Sequence, residues 1–206
     1  MIIQKARLNT ETLLKDCSIT KENKKLIVYL QDYKKNLNEK INNCENLILN
    51  GSCGAGKSFI INAFINEIHS IKVEKETKDY SPMYGIIKKV ITTNLICFQV
   101  NCYELISQLR ERNYNKQKLD CDYFNCDLLV IDEVGVQFAT DAERQILYEL
   151  IDYRYNFYKP TFIISNLQVN HNNDNKQSIE YVLGQRIFSR LKLNNCKIIT
   201  INGNMR

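Results

Sequence analysis

The chain has 206 residues, which is enough for one α/β domain with a single core. Hydrophobic residues make up 44% and charged residues 25% of the chain, which is typical of a soluble globular protein and excludes an intrinsically disordered one. The net charge of +5 at pH 7 is compatible with a partner that carries phosphates, but it does not select one.

The cysteines and the apolar runs indicate where in the cell the protein is located. The eight cysteines include no CxxC pair, and Met1–Leu14 lacks a basic-then-apolar signal segment, so we expect reduced thiols and a cytoplasmic location. Cys121 and Cys126 are near each other in sequence, but with only two histidines in the chain no zinc-ligand spacing results, and we predict no structural metal. Apolar runs such as Leu26–Leu30 are too short to cross a bilayer, so we expect a soluble protein without a membrane partner.

Residues 1–45 are predicted to form an N-terminal helical segment, ahead of an α/β domain over residues 46–206. Apolar residues recur there at roughly helical spacing, which predicts an amphipathic helix. The lysines of this segment fit a solvated helix face or an acidic partner. The apolar positions are Leu26, Ile27, Leu30, Tyr33 and Leu37.

Short apolar runs and helical patterns alternate after residue 46. Leu47–Leu49 is predicted to be a buried strand and Ser58–Ile71 a helix packed on a sheet. The residues at about 72–93 mix charges with Pro82 and Gly85, which predicts an exposed insertion or hairpin.

The same alternation continues to the last strand. Thr140 and Glu143 form a capping-box pattern that opens a helix ending before Pro160. Alternating strands and helices predict a parallel sheet with helices on both faces, the α/β fold class of P-loop NTPases. The remaining predicted elements are a strand at Leu95–Val100, a helix from Tyr103, strands at Leu128–Ile131 and Thr161–Ser165, a polar loop at Asn170–Lys176, a helix at Ile179–Leu193 and a strand at Cys196–Ile201.

A phosphate-binding loop stands between the first predicted strand and helix. Its eight residues match the pattern G-x-x-x-x-G-K-[ST] in full, in the strand-to-helix context that the motif requires. Glycines let backbone amides approach phosphates, and the following helix presents its positive end to them. The pattern predicts an ATP site with Mg²⁺, in which Lys57 contacts the β- and γ-phosphates and Ser58 binds the metal. The predicted nucleotide-binding residues are Gly51, Ser52, Cys53, Gly54, Ala55, Gly56, Lys57 and Ser58.

Two adjacent carboxylates follow the buried strand Leu128–Ile131. This pattern is typical of a Walker B motif, in which Asp132 is a second Mg²⁺ ligand and Glu133 polarises the attacking water as a general base. Small-molecule kinases share the first motif but have less need of a glutamate here, because their nucleophile is a substrate hydroxyl. The pair of acids therefore favours hydrolysis.

Three further polar residues are candidates for the γ-phosphate. Asn166 follows the strand Thr161–Ser165 and is placed to orient water, although an asparagine there is more often only a turn residue. Arg186 and Arg190 are four residues apart on one helix face, as a surface pair or as groups that reach a phosphate.

These motifs together resemble the AAA+ ATPases, and more narrowly the DnaC-type helicase loaders and the IstB-type transposition ATPases. The resemblance covers roughly residues 47–206 and is most specific in Cys126–Gln137, with further likeness at Arg154 and at Lys159-Pro160-Thr161. It implies that Arg186 or Arg190 is a finger toward an adjacent protomer and that Arg206 is a sensor for the γ-phosphate. It also implies that Tyr103–Lys118 contacts single-stranded DNA, with arginines, lysines and tyrosines that suit phosphates and bases.

The resemblance leads to three functional hypotheses. The first is a helicase loader that binds ATP, hydrolyses it slowly until a partner stimulates it, self-associates, binds single-stranded DNA and delivers a replicative helicase of the DnaB type. The second is an IstB-like ATPase that prepares target DNA for a transposase. The third is a nucleotide-binding adaptor that does not turn over. The partner, the strandedness of the DNA, the oligomer size and the choice between Arg186 and Arg190 are left open.

Overall fold

A computed structural model of the chain describes residues 12–81, 85–115, 121–135, 140–169, 178–193 and 195–203. Within these ranges, the side chains of residues 76–81, 85–89, 114 and 115 are not described. The strands are β1 Leu47–Gly51, β2 Lys72–Ser81, β3 Gly85–Asn94, β4 Cys97–Asn101, β5 Leu128–Asp132, β6 Thr161–Ser165 and β7 Lys197–Ile201. The helices are α1 Lys24–Lys35, α2 Leu37–Asn42, α3 Lys57–Ile68, α4 Cys102–Asn115, α5 Asp141–Asn156, α6 Ile179–Leu183 and α7 Gln185–Leu193, and a 3-10 turn stands at Leu14–Asp16.

Five parallel strands form the central sheet in the order β4-β5-β6-β1-β7. The register pairs Leu47 of β1 with Phe162 of β6 and with Lys197 of β7. On the other side of the sheet, Asn101 at the end of β4 is opposite Asp132 at the end of β5. The last residues of β1, β4, β5 and β6 therefore lie together at the carboxyl edge of the sheet, where α/β folds place their ligands.

Helices cover both faces of this sheet, as the sequence predicts. Leu47 and Leu49 of β1 lie in one buried cluster with residues of α1 and α3, whereas Ile48 lies in the other cluster with residues of α4, α5, α6 and α7. This alternation follows from the two-residue period of a strand that is buried on both sides. None of the described helices is long and apolar enough to span a bilayer.

The predicted N-terminal helix is present as α1, followed by the shorter α2. Tyr33 of α1 is fully buried, and its ring packs edge-on against Phe64 at 5.8 Å and Phe162 at 5.2 Å between ring centroids. Its hydroxyl donates to the carbonyl of Glu45 at 3.3 Å. Helix α1 thus belongs to the same hydrophobic core as β1 and β6. The division of the chain at residue 45 stays a prediction.

The insertion predicted at about residues 72–93 is a β-hairpin. Strands β2 and β3 pair antiparallel from Lys72 opposite Asn94 to Ser81 opposite Gly85, and they form a two-stranded sheet of their own. The base of the hairpin is fixed by an ion pair at 2.7 Å between Lys75 and Asp127, the residue just before β5. The hairpin therefore joins the body of the protein at the amino-terminal edge of the central sheet.

One predicted helix is wrong in its continuity. The segment Ile179–Leu193 forms two helices and not one. Gly184 has φ 79° and ψ 154°, which is not a helical conformation, and it separates α6 from α7. The capping box at Thr140 is confirmed, with the backbone amide of Glu143 donating to its hydroxyl oxygen at 3.3 Å. The predicted polar loop at residues 170–176 lies outside the described residues.

Candidate nucleotide site

The glycine-rich loop connects β1 to α3 and is held against the last strand of the sheet. Gly51 has φ 145°, and a Cβ placed on it would come within 1.7 Å of the carbonyl oxygen of Ile201 in β7. Gly56 has φ 75° and directly precedes α3. Both positions require glycine, the first for close backbone approach and the second for a left-handed turn. The loop thus brings its amides to the positive end of α3.

Lys57 is the buried cation of this loop, with 6% of its surface exposed. Its Nζ donates to the carbonyl oxygens of Gly51 at 2.9 Å and Ser52 at 2.8 Å, and to Oδ1 of Asn166 at 2.8 Å. Burial lowers the pKa of the Lys57 ammonium. All three proton positions of the ammonium are used, two of them by carbonyls within its own loop. These bonds hold Lys57 beside Asn166, at the ends of the neighbouring strands β1 and β6. The contact of Lys57 with phosphate stays a prediction.

Asp132 ends β5 beside Ser58. The Ser58 hydroxyl hydrogen-bonds to the Asp132 carboxylate, and Nε2 of Gln99 donates to the same group at 3.3 Å. Burial raises the pKa of Asp132, and these hydrogen bonds only partly offset the effect. A hydroxyl and a carboxylate, both oxygen donors, are the ligands that Mg²⁺ prefers, so this pair suits the metal that accompanies ATP.

Glu133 is turned toward β4. Its backbone has φ 57°, an uncommon conformation for a glutamate. Nδ2 of Asn101 donates to Oε2 of Glu133, and Oδ1 of Asn101 accepts from the backbone amide of Tyr103 at 2.9 Å. Asn101 therefore holds the carboxylate of Glu133 with one end of its amide and the first turn of α4 with the other.

Hydrogen bonds of Ser165 connect β6 to the turn that follows β5. The hydroxyl of Ser165 in β6 donates to the carbonyl of Val134 at 2.6 Å and accepts from the amide of Leu167 at 3.0 Å. Gly135, with φ 109°, lies so near Leu167 that a Cβ would come within 2.3 Å of its Cδ1. The turns after β5 and β6 are consequently fixed relative to each other. They form one side of a cleft of about 510 Å³ whose polar lining includes Lys57, Ser58, Asp132, Glu133, Ser165 and Asn166.

With this geometry established, the relatives of the chain can be compared. Residues 91–206, more than half of the chain, match the family described as IstB-like ATP binding protein. The chain belongs to this family. The match includes Asp132, Glu133 and Asn166 and begins after the phosphate loop. Family membership makes this chain an ATP-binding protein.

The curated relatives of the chain include replicative helicase loaders. The chain is 25% identical over 179 residues to the DnaC of Buchnera aphidicola subsp. Baizongia pistaciae, which covers 87% of this chain and 62% of that loader. It is 26% identical over 160 residues to the DnaC of Escherichia coli strain K12, which covers 78% of this chain and 55% of that loader. The chain thus spans little more than half of the length of these relatives.

Solved structures share the fold. The crystal structure of the DnaC helicase loader superposes with a TM-score of 0.69 at 18% identity, over 92% of this chain and 96% of that one. AMPPCP-bound DnaA from Aquifex aeolicus gives a TM-score of 0.63 at 16% identity, over 93% of this chain and 51% of that one. These likenesses confirm the predicted fold, and the family match and the loader relatives confirm that it is of the DnaC/IstB type.

The two arginines of α7, Arg186 and Arg190, differ in their surroundings. Arg190 is half-buried, with its Nε donating to Asp152 at 2.8 Å and its guanidinium over the ring of Tyr155 at 5.0 Å. Arg186 is exposed, and its guanidinium forms no ion pair with the residues that the structure describes. Neither lines the cleft described above. Arg206 lies outside the described residues.

Helix α4, which the resemblance relates to DNA binding, is partly occupied by contacts within the chain. Arg110 forms an ion pair with Glu143 at 2.8 Å, and the guanidinium of Arg112 lies over the ring of Phe124 at 4.7 Å from its centroid. Tyr103 is 64% exposed. The side chain of Tyr114 and residues 116–118 lie outside the described part of the chain.

Sequence reasoning missed the polar residues of β4. Gln99 and Asn101 are separated by two positions and both contact the Walker B carboxylates. The signal was a run of Gln, Val and Asn at the end of a predicted strand, but its meaning depends on β4 being the neighbour of β5. A single sequence does not give that neighbour relation.

Proposed function

We propose that this chain is an ATP-dependent helicase loader of DNA replication. The observation that carries the proposal is the convergence of Lys57, Asp132 and Glu133 at one sheet edge, in a chain that aligns over most of its length with replicative helicase loaders. Because the chain spans only part of those relatives, their activity and partners come to it as parts of the proposal.

The cleft suits the triphosphate of ATP. Lys57 already sits among acceptors, so on binding it can exchange the carbonyls of Gly51 and Ser52 for phosphate oxygens without moving far. The amides of residues 51–58 and the start of α3 add further donors. Ser58 and Asp132 would hold Mg²⁺, which neutralises charge on the phosphates when it is bound.

Hydrolysis in this proposal depends on releasing Glu133. A general base must come within hydrogen-bond reach of the attacking water, directly or through another water. In the present arrangement its carboxylate is bound by Asn101, which suits a slow basal rate. Because Asn101 also caps α4, a ligand that moves the first turn of α4 would change the contact with Glu133. A DNA or protein partner bound to α4 would thereby stimulate hydrolysis.

Self-association would bring a positively charged arginine of a neighbouring protomer to the site. A guanidinium from a neighbouring protomer stabilises the transferred charge because it stays ionised and bonds in two places. Exposed Arg186 suits this role better than Arg190, whose guanidinium is already committed to Asp152 and Tyr155. Asn166 would orient water beside Lys57, and Arg206 remains a candidate for the γ-phosphate.

The test is complex formation with the hexameric replicative helicase of the host, followed by size-exclusion chromatography with light scattering in ATP. We expect a complex with the wild-type chain and a loss of its ATP dependence in Lys57→Ala. A parallel assay measures ATP hydrolysis by wild type and Glu133→Gln. Unchanged function in Glu133→Gln would favour the non-hydrolysing adaptor.

An IstB-like ATPase that prepares target DNA for a transposase is the second candidate, because the family that matches residues 91–206 is described as IstB-like ATP binding protein. It predicts binding to double-stranded DNA and filaments rather than a helicase complex. Electron microscopy of the chain with ATP and a plasmid separates the two. Filaments on duplex DNA, together with no helicase complex, would replace the loader proposal.

A further inference from the structure

Gln99 is a polar residue in a row of the central sheet that is otherwise apolar. Its register partner in β5 is Val130, which pairs in turn with Phe162 of β6. Both partners are fully buried in the cluster that contains residues of α1 and α3. Cys97, two positions earlier in β4, belongs to the same cluster. Because strand side chains alternate between the faces of a sheet, Gln99 points to this face as well.

The two ends of the Gln99 amide differ in their hydrogen bonds. Nε2 donates to Oδ2 of Asp132 at 3.3 Å. Oε1 is buried and has no hydrogen-bond partner within the part of the chain that the structure describes. The reverse orientation of the amide would place Oε1 against the carboxylate and leave Nε2 without an acceptor. The contact with Asp132 is therefore the interaction that Gln99 contributes.

This arrangement is unfavourable for stability alone. A buried acceptor without a partner destabilises a folded protein, and an apolar side chain of the same shape would avoid that cost. The neighbouring positions Val130 and Phe162 show that this row of the sheet accepts apolar residues. A residue that breaks such a local rule is expected where function requires it. The benefit of Gln99 is therefore to be sought at Asp132.

The Asp132 carboxylate is held at both of its oxygens. Oδ1 accepts from the backbone amide of Glu133 at 2.8 Å, and Oδ2 accepts from Gln99. With one donor on each oxygen, the carboxylate has a fixed rotation about its Cβ–Cγ bond. The Ser58 hydroxyl bonds to the same carboxylate, so this rotation also fixes how the two candidate metal ligands face each other.

We propose that Gln99 is a positioning residue of the Mg²⁺ site. By holding Oδ2, it keeps the Asp132 carboxylate turned toward Ser58, in the orientation that the metal needs. Gln99 acts only through Asp132, because it does not line the ATP cleft. Hydrogen-bond partners of metal-binding carboxylates commonly change metal affinity by about 10- to 100-fold. The inference rests on the proposed Mg²⁺ site of Ser58 and Asp132 and adds the residue that orients it.

Gln99 and Asn101 divide the two acids after β5 between them. Gln99 bonds to Asp132, whereas Asn101 bonds to Glu133. The two amides are two positions apart on β4 and so point to the same face of the sheet. Because their acids have different proposed roles, we expect variants of Gln99 to change metal affinity and variants of Asn101 to change the hydrolysis rate.

The test uses Mn²⁺ as a spectroscopic substitute for Mg²⁺ and ADP as the nucleotide. Electron paramagnetic resonance of free Mn²⁺ gives the metal affinity of the complex between the chain and ADP. We expect Gln99→Met, which keeps the length of the side chain and removes its donor, to weaken Mn²⁺ binding by about tenfold. The matched control is Gln31→Met on the exposed face of α1, which should change it by less than about twofold.

Three further measurements separate positioning from packing. In EDTA, ADP affinity of Gln99→Met should stay within about twofold of wild type, because Gln99 does not line the cleft. The urea midpoint should be equal or higher, since the unpaired acceptor is gone. Excess Mg²⁺ should restore the rate of ATP hydrolysis, because only metal affinity is reduced. Gln99→Leu provides a second variant if Gln99→Met is unstable.

Three outcomes would overturn the inference. Mn²⁺ affinity equal to wild type in Gln99→Met and Gln99→Leu would do so, and loss of Mn²⁺ in Asp132→Asn would then show that the proposed metal site itself stands. Equal weakening of Mn²⁺ binding and of ADP binding in EDTA would assign Gln99 a packing role instead. If the wild-type complex with ADP holds no Mn²⁺, the proposed metal site and the inference are both wrong.

Discussion

Two buried cations, Lys57 at the carboxyl edge of the sheet and Arg154 near its amino-terminal edge, are satisfied mainly by backbone carbonyls but in different ways. Lys57 uses its three protons on Gly51, Ser52 and Asn166, which all border an open cleft. Arg154 is 1% exposed and its rigid fork bonds two separate stretches of chain at once. The first cation can exchange partners for a ligand, and the second can only hold the chain together.

The contacts of Arg154 explain why it is fixed. One nitrogen, Nη1, donates to the carbonyls of Tyr123 at 2.8 Å and Cys126 at 3.1 Å, just before β5. The others reach the start of β6, with Nη2 donating to Pro160 at 2.6 Å and Nε to Thr161 at 2.9 Å. The guanidinium thus joins the beginnings of the Walker B strand and of the strand before Asn166.

Removing Arg154 should produce the largest effect on stability. Arg154→Ala leaves several buried carbonyls without donors and should lower the free energy of unfolding by about 3 kcal/mol or more. Arg154→Lys should recover little of this, because an ammonium lacks the fork that spans both strands. Urea denaturation followed by circular dichroism measures both, with exposed Arg112→Ala as a control. Equal midpoints for Arg154→Ala and wild type would show that the two cations do not differ in this way.

Removing Lys57 should have a large effect on ATP hydrolysis and a small effect on stability. Lys57→Ala should lower the rate of ATP hydrolysis by about 100-fold, because it removes the charge that we propose contacts the phosphates. It should change the free energy of unfolding by less than about 1 kcal/mol, since the freed carbonyls border a cleft that water can enter. Hydrolysis and urea denaturation are measured on the same sample, and Lys25→Ala on the exposed face of α1 is the control. A large loss of stability in Lys57→Ala would give both cations the same structural role.

Variants of Asn101 test whether its hydrogen bond to Glu133 slows ATP hydrolysis. Asn101→Ser keeps an oxygen that can cap α4 but is too short to hold Glu133, so basal hydrolysis should rise about threefold or more as the general base is released. Asn101→Ala removes both contacts and should additionally destabilise the chain by about 1 kcal/mol. A coupled assay for ADP without DNA gives the rates. A rate in Asn101→Ser at or below that of wild type would contradict the restraint.

The smallest expected effect concerns Asp132. Because burial raises its pKa, the folded protein holds this proton more tightly than the unfolded chain does, so the ionised carboxylate weakens folding as pH rises. Asp132→Asn should therefore raise the free energy of unfolding by about 1 kcal/mol at pH 7 while impairing Mg²⁺ binding. The gain should shrink as the pH falls from 7 to 4, because more of the wild-type carboxylate is then protonated. Thermal unfolding at both pH values in EDTA measures it, and a constant difference would argue against the cost of ionisation.

Much of this fold could be predicted from local patterns. The strands at Leu47 and Leu128 are continuous apolar runs, and the phosphate loop follows the first of them in a fixed spacing. Helix period, turn residues and caps act over a few positions, so a single sequence displays them. The break at Gly184 was not predicted, because a glycine within a helical pattern is also compatible with a continuous helix.

The unpredicted part of the site consists of relations between distant segments. Asn101 and Glu133 meet only because β4 and β5 are adjacent, and Arg154 gains its role from loops at Tyr123 and Pro160. Likewise Arg186 and Arg190 are equivalent by spacing, and only the contacts of Arg190 with Asp152 and Tyr155 distinguish them. Such long-range contacts have no signature in the order of residues.

Because Gly51 packs on Ile201, the site can form only after both ends of the chain have been synthesised. Strand β1 is made early, but both of its partners in the sheet, β6 and β7, leave the ribosome more than a hundred residues later. Pairings between such distant segments form slowly and only when both are present. A nascent chain that has completed the phosphate loop thus still lacks the wall against which the loop folds. We therefore expect the chain to hold ATP only after β7 has been made, when Ile201 can pack on Gly51.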